Sequence, residues 1–297
     1  MTALRCHNNT YSFCLCHRPP LFQCPEWITL IKTRPFNELP GQDAHELVPK
    51  YSLLYHHLCG DVGVFAVRRL LEQLDASPAR ASELFVSITS YRKLIALEQH
   101  GQPAGNLPGV WVAQEGSFDA TQAIEATHGK VVIPQIINHQ VPLGVALAYA
   151  ASHALEDYLA GTQILLKDDI LNPRQAIDFL EMSAHFIWGG FAGTLRLDHF
   201  LELADNLEKA TLSILRSGYV SQKGWTDTYQ ERWIAFFLER LSSFWYLERL
   251  GSEELLAWQS PTTLLMDSRL TQGFNTNINL PHESPGSLSR GIDSGSW

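Results

Sequence analysis

No run of about 18 uninterrupted apolar residues, the length a membrane-spanning helix needs, occurs in this chain. Yet 45% of its 297 residues are hydrophobic, so the apolar side chains are expected to fill a globular core rather than a bilayer. Basic residues are also scarce: 22 Lys and Arg stand against 31 Asp and Glu, for a formal net charge of −9. Non-specific binding to nucleic acid needs clustered cations that release counterions from phosphates, and this balance excludes it. An anionic small substrate remains compatible with the charge, but only in a locally basic pocket. Cysteine is sparse and odd in number, five in all. That excludes a disulfide framework and fits a reducing compartment. The opening MTALRCHNNTYSF has no apolar h-region, so no secretory signal is expected and the location is expected to be cytoplasmic. No internal repeat is present.

What cysteine there is lies at the front. YSFCLCHRPPLFQCP, Tyr11 to Pro25, gathers Cys14, Cys16, His17 and Cys24. Zinc sites usually draw on C-x2–4-C pairs, whereas Cys14 and Cys16 are two apart and no second pair follows. On a strand, that spacing places both on one face and turns His17 away. The reading adopted is a buried strand with cysteine as a small core hydrophobe. His17 and Arg18 then open the following loop as polar, anion-facing groups.

Strands are expected over Tyr11–Cys16, Trp27–Ile31, Glu83–Ile88 and Lys130–Pro134. Helical pattern covers Ala44–Leu74 with a break near CGDVG, then Leu143–Leu159, Pro173–Ala184, Leu197–Leu215 and Tyr229–Leu250. One α/β unit is expected over residues 1–260, sheet-rich over 11–135 and mainly helical over 140–260. The segment 276–297, rich in Ser, Gly, Pro and Asn, is expected to be disordered. In a layered α/β fold, ligands sit at the carboxyl ends of the strands. HRPP and SYRK both fall at such ends.

Several segments in order resemble a family of bacterial glycosyltransferases from capsule and lipopolysaccharide gene clusters, known mostly as a domain of unknown function. CLCHRPPLFQCP is similar to its Thr-His-Lys-Pro turn, with His17 and Arg18 in the His-Lys positions. VSITSYRK is similar to its His-Tyr-Arg-Arg strand end through Tyr91, Arg92 and Lys93, with Ser90 in place of the histidine. VVIP matches its proline-ended strand. YAASHALED carries Tyr149, Ser152, His153, Glu156 and Asp157, and YQERWIAFFLERLSSFW carries Gln230, Arg232, Glu239, Arg240 and Trp245. The family's Cys-Glu-Leu-Thr helix start is CGDVG here, which shifts the acidic group to Asp61 or removes it. The resemblance covers roughly Tyr11 to Leu250. It implies a GT-A-like three-layer sheet domain with a helical C-terminal half, and transfer of a hexose from a nucleotide-sugar donor, a UDP-sugar above all, to a glycan or small-molecule acceptor in polysaccharide biosynthesis. HFIWGGFAGT resembles the glycine-rich segment that such enzymes place beside the donor sugar, with Gly189 and Gly190 giving the backbone close approach.

This chemistry needs charge stabilisation at the leaving diphosphate and a base for the acceptor hydroxyl. No Asp-x-Asp motif exists to hold a metal. No cofactor is therefore assigned, a divalent metal is left open, and the burden falls on cations. The donor-binding candidates are His17, Arg18, Tyr91, Arg92, Lys93, Gly189, Gly190 and Arg232. The catalytic candidates are His153, Asp157 and Glu239, with His153, Glu156 and Asp157 expected on one helix face. For each cation the competing reading is a surface ion pair, and for Glu239 with Arg240 a pair that anchors the helix. A second functional reading, a catalytically inactive nucleotide-sugar-binding or scaffold protein of the same fold, is kept open by the missing Asp-x-Asp, Ser90 and CGDVG. If the cysteines are structural, metal analysis of the purified protein will find no stoichiometric zinc; about one zinc per chain would overturn that reading.

Overall fold

In the computed structural model, which describes residues 4–34, 41–74, 78–105, 107–186, 191–222, 230–249 and 259–267, the chain is mixed α/β. Strands β1 (Thr10–Cys16) and β2 (Ile28–Lys32) lead through β3 (Gln42–Asp43) to the short helices α1 (Ala44–Leu47) and α2 (Tyr55–Leu58). Helix α3 (Asp61–Leu71) and the turn α4 (Pro78–Ala81) precede β4 (Phe85–Ser90), β5 (Lys93–Ile95), β6 (Gln102–Pro103) and β7 (Val110–Gln114). Then come α5 (Ala120–Glu125), β8 (Ile133–Pro134), β9 (Ile136–Asn138), α6 (Gly144–Ser152), α7 (Leu155–Lys167) and α8 (Pro173–Glu181). The remainder is β10 (Ala184–Phe186), β11 (Gly193–Arg196), α9 (Leu197–Arg216), α10 (Tyr219–Gln222), α11 (Trp233–Arg249), β12 (Gln259–Ser260) and β13 (Thr262–Met266).

The five-stranded sheet runs in the order β11-β4-β1-β2-β3, parallel except for β11 at one edge. Alternation along β1 divides the interior in two. Phe13 faces the larger core beneath α3, α9 and α11, together with Ile31, Val86 and Ile88. Cys14 and Cys16 face the opposite core, with Ile28, Leu30, Leu94, Leu265 and Ile124. That second core is closed by α5 and a smaller sheet of order β5-β13-β7-β6. The strand reading of the opening cysteines thus agrees with their positions, and burial beside Cys16 and Cys24 raises the Cys14 thiol pKa. Gly63 lets α3 lie directly on the sheet: a Cβ there would come within 2.9 Å of Leu15 Cδ2.

Two departures from the expected elements matter. Leu143–Leu159 is not one helix. His153 caps α6 in extended backbone (φ −137°, ψ 166°), Ala154 is also extended, and α7 starts afresh. His153 and Asp157 therefore do not share a helix face. The packed chain also continues past residue 260, because β13 pairs with both β5 and β7. Residues 276–297 lie outside the described residues, as do Gly189 and Gly190. No helix among the described residues is long and apolar enough to cross a membrane.

The helical layer is pinned by one acid. Glu208 on α9 has a side chain only 3% exposed, with Lys50 Nζ at 2.6 Å, Arg68 at 2.7 Å and Arg69 at 2.8 Å. Tyr51 donates to the same carboxylate at 2.9 Å. Burial would raise its pKa, but hydrogen bonds from Lys50 and Tyr51 and the charge of Arg69 outweigh this and hold it low. Glu208→Gln is expected to cost about 2–3 kcal/mol in urea unfolding, less than the ~3–5 kcal/mol of a fully buried pair because Lys50 and Arg69 keep solvent contact. The wild-type advantage is complete above the unfolded pKa of about 4.3 and disappears as pH falls through the lower folded value.

Candidate functional site

Three adjacent parallel strands end on the same edge of the sheet. β1 is followed by His17 and Arg18, β2 by Thr33 and Arg34, and β4 by Tyr91 and Arg92. The ladder runs on past the strand ends: Thr33 N donates to Cys16 O at 2.8 Å and Tyr91 N to Leu15 O at 3.1 Å. These bonds fix where the polar side chains leave the sheet. Tyr91 is their platform. The His17 ring meets it edge-on at 4.6 Å, and the Arg18 and Arg92 guanidinium carbons lie 5.2 Å and 5.4 Å from its ring centroid. The next strand begins with Lys93, whose N–H donates to Ser90 Oγ at 3.1 Å. Ser90, in the position where the resembled family has histidine, thus caps the turn.

The opposite wall comes from helix ends. Gln230 donates to the Ser152 carbonyl at 3.1 Å, and His57 Nδ1 donates to the Glu231 carbonyl at 2.8 Å. Together they hold the turn that carries Arg232. Arg232 Nε donates to Cys59 Sγ at 3.0 Å, with Cys59 in left-handed backbone (φ 47°) just before α3. The Arg232 guanidinium also lies 5.1 Å from the Phe236 ring centroid, and Phe236 stacks on His153 at 4.1 Å.

Burial first, and then the crowding of charges, sets the protonation states. Burial, reinforced by Arg18, Arg34, Arg92 and Arg232, holds the His17 pKa at about 4, so this imidazole is neutral near pH 7. Lys93 is lowered to about 8 by burial, against the pull of Glu239 and with the push of Arg92 and Arg232. Asp61, the first residue of α3, is raised well above the usual carboxylate range by burial and by Glu239. Arg92 Nε is buried and has no hydrogen-bond partner among the described residues. The result is a basic rim around two carboxylates, one of them inclined to hold a proton. Such a site can bind a multiply charged anion and take a proton from a neutral group.

Of the expected residues, His17, Arg18, Tyr91, Arg92, Lys93, Arg232 and Glu239 come together here. His153 lies one ring behind Arg232. Asp157 does not join them: it is fully buried in the first turn of α7, where it accepts from Tyr219 OH at 2.8 Å. Three neighbours were missed by the sequence candidates. Arg34 follows a strand just as Arg92 does, a signal that was present. Cys59 and Asp61 sit in CGDVG, legible only as an altered motif. Among the described residues no group of three or more His, Cys, Asp or Glu side chains is arranged to hold a metal ion. A recess of about 580 Å³ lined by Asp169, Glu202, Lys209, Trp245 and Glu248 shares none of these residues.

Comparison with solved structures places the fold. The chain is similar in structure to the WbbM bifunctional glycosyltransferase in its apo form, with a TM-score of 0.58 over 86% of this chain, at 14% sequence identity. The likeness is one of fold. This chain spans 45% of the length of that protein. No family model and no curated protein matches the sequence.

His153 gives the site a pH signature. Burial, with Arg240 and Arg232 nearby, holds its pKa at about 3. Below about pH 6.5 the unfolded chain takes up a proton that the folded site refuses, so stability falls from there toward pH 3. His153→Phe keeps the stacking on Phe236 and is expected to flatten the part of the acid loss due to this group. Equal acid profiles for the two proteins in denaturant titrations would show that His153 is not the proton acceptor.

Proposed function

We propose that the chain is a glycosyltransferase of GT-A-like architecture that moves a hexose from a nucleotide-sugar donor, a UDP-sugar above all, to a glycan or small-molecule hydroxyl. One observation carries this reading: Arg18, Arg34 and Arg92 leave three adjacent parallel strands at the edge where layered α/β folds take ligands, in a fold shared with a glycosyltransferase.

In this reading Arg92, Arg18 and Lys93 grip the donor diphosphate from the strand ends, with Arg232 closing from the other wall. The Nε of Arg92, buried without a hydrogen-bond partner among the described residues, leaves a donor that a bidentate phosphate contact would use. The bond from the anomeric carbon to the phosphate oxygen breaks, and the electron pair leaves with the nucleoside diphosphate, whose charge these cations stabilise. The acceptor oxygen bonds to the anomeric carbon. Its proton passes to the Asp61–Glu239 pair, in which burial and the neighbouring Glu239 hold the Asp61 carboxyl well above the usual carboxylate range. Neutral His17 and Tyr91 form the platform for the donor. His153 positions Arg232 through Phe236, and Asp157 braces α7 against α10. Gly189 and Gly190 remain assigned to the donor sugar on the resemblance alone.

Arg92→Ala is expected to weaken UDP-sugar binding about tenfold to a hundredfold with little loss of stability, since a charge-assisted phosphate contact is worth roughly 1.5–3 kcal/mol. Lys at this position should rescue only part of the loss. Turnover is expected to survive EDTA, because the chain's own cations carry the leaving-group charge. Equal affinities would remove Arg92 from the site, and loss of turnover with EDTA would turn attention to Asp61 and Glu239 as metal ligands. Binding without turnover across several acceptors would favour the inactive-descendant reading.

A further inference from the structure

Arg240 follows Glu239 on α11, and its side chain is only 8% exposed. One terminal nitrogen faces Glu239 at 3.2 Å and the Phe236 carbonyl at 3.4 Å. Its Nε is buried with no partner among the described residues. Buried guanidinium groups ordinarily fill their donors, so a half-used fork in the interior calls for a ligand. Glu239 cannot supply full compensation, because it also faces Lys93 and Asp61.

Apart from Glu239, the groups placed around Arg240 are uncharged and rich in hydrogen-bonding atoms. The Tyr149 ring centroid lies 5.8 Å from its guanidinium carbon. His139 and His185 stack in parallel, centroids 5.2 Å apart, with His139 Nε2 and His185 Nδ1 sharing a hydrogen bond of 3.2 Å. Burial first, then Arg240, lowers the pKa of both. His185 is enclosed, while His139 is half-buried and opens the cluster to solvent. The loop that carries His139 is held in an unusual shape. Gln140 and Leu143 both take left-handed backbone (φ 56° and 60°), and a Cβ on Gly144 would sit 2.4 Å from His139 Cβ. Non-glycine residues persist in that region only where the surroundings enforce it, and such strain gathers at ligand sites.

We propose that Arg240, His139 and His185 form a subsite for an oxyanion carried by the acceptor, either a carboxylate or a phosphate. The free edge of the guanidinium offers a planar fork that suits two oxygens of one such group. The neutral imidazoles add hydrogen bonds without adding charge. Glu239 joins this subsite to the cationic rim, so an anion held here would present a neighbouring hydroxyl to the carboxylate pair. Assignment of the anion to the acceptor rests on the glycosyl-transfer reading; anion binding itself does not.

The test uses the full chain carrying Arg18→Ala and Arg92→Ala, which removes competing anion binding at the donor rim. Imidazole proton NMR signals are followed while glucuronate, inorganic phosphate or neutral glucose is added at constant ionic strength. Saturable shifts of the His139 and His185 signals are expected with at least one anion and none with glucose. His139→Gln and Arg240→Met should each weaken that binding about tenfold or more. Response to glucuronate alone identifies a carboxylate, to phosphate alone a phosphorylated acceptor, and to both the shared chemistry. If Arg240→Met fails to fold, His139→Gln read through the His185 signal carries the test. No saturable shift with either anion overturns the subsite, and so does binding that both variants leave unchanged. UDP titration of the wild-type chain separates the two failures: UDP bound with no anion effect sinks the subsite alone, and anion bound without UDP sinks the donor reading alone.

Discussion

Parallel pairing of β1 with β2 on one side and β4 on the other sends three strand ends out of a single edge. Both faces of this sheet are buried, so polar side chains have nowhere to emerge except at the ends. Each strand is therefore uncharged along its buried length and basic at or just beyond its end. The rest of the site is an answer to that crowding. Like charges at close range repel, and burial makes the repulsion worse. The molecule meets it with neutral His17, a Lys93 of depressed pKa and one well-placed carboxylate on α11. An anionic guest would relieve what the protein only partly compensates.

The helical half serves this edge from behind. Its anchor is Glu208, which ties α9 to the last turn of α3, the helix whose other end follows Cys59 and its contact with Arg232. Arg232 depends on two further supports, the Ser152 carbonyl at the end of α6 and His57 in α2. A site built from four separate stretches of chain is stiff only if each stretch is packed. The aromatic column from Arg232 through Phe236, His153 and Tyr149 supplies that packing.

Sequence pattern revealed β1, β2 and β4 of the main sheet, because alternation and short apolar runs ending at HRPP and SYRK leave few other readings, but it gave no sign of β11 or of most of the smaller sheet, whose strands are short and come from distant parts of the chain. Arg92 and Lys93 stood out because charge at the end of an apolar run is visible, and Arg232 because of its place in the resembled Gln-x-Arg helix. The break at His153 was hidden: AASHALED contains neither proline nor glycine, and its helical spacing runs on through the cap. Pairing His153 with Asp157 failed for that reason. Asp61 and Cys59 were obscured because their roles come from contact with Glu239 and Arg232, about 170 residues later in the chain. Arg240 was legible only as the partner of Glu239, an ion pair the structure contains; its unpaired Nε leaves no mark in the sequence.

The return of β13 bears on when the site comes into being. Leu265 N donates to the Arg92 carbonyl at 2.7 Å, and β13 lies between β5 and β7 in the smaller sheet. During synthesis, the main sheet and its cationic edge can assemble from the first two hundred residues, but the backbone of Arg92 waits for a strand made at position 262 and beyond. Pairings of such long sequence separation form late. The nascent chain thus passes through an interval in which its basic edge exists without its last clasp, and the backbone of Arg92 is fixed only when the end of the described fold completes the smaller sheet.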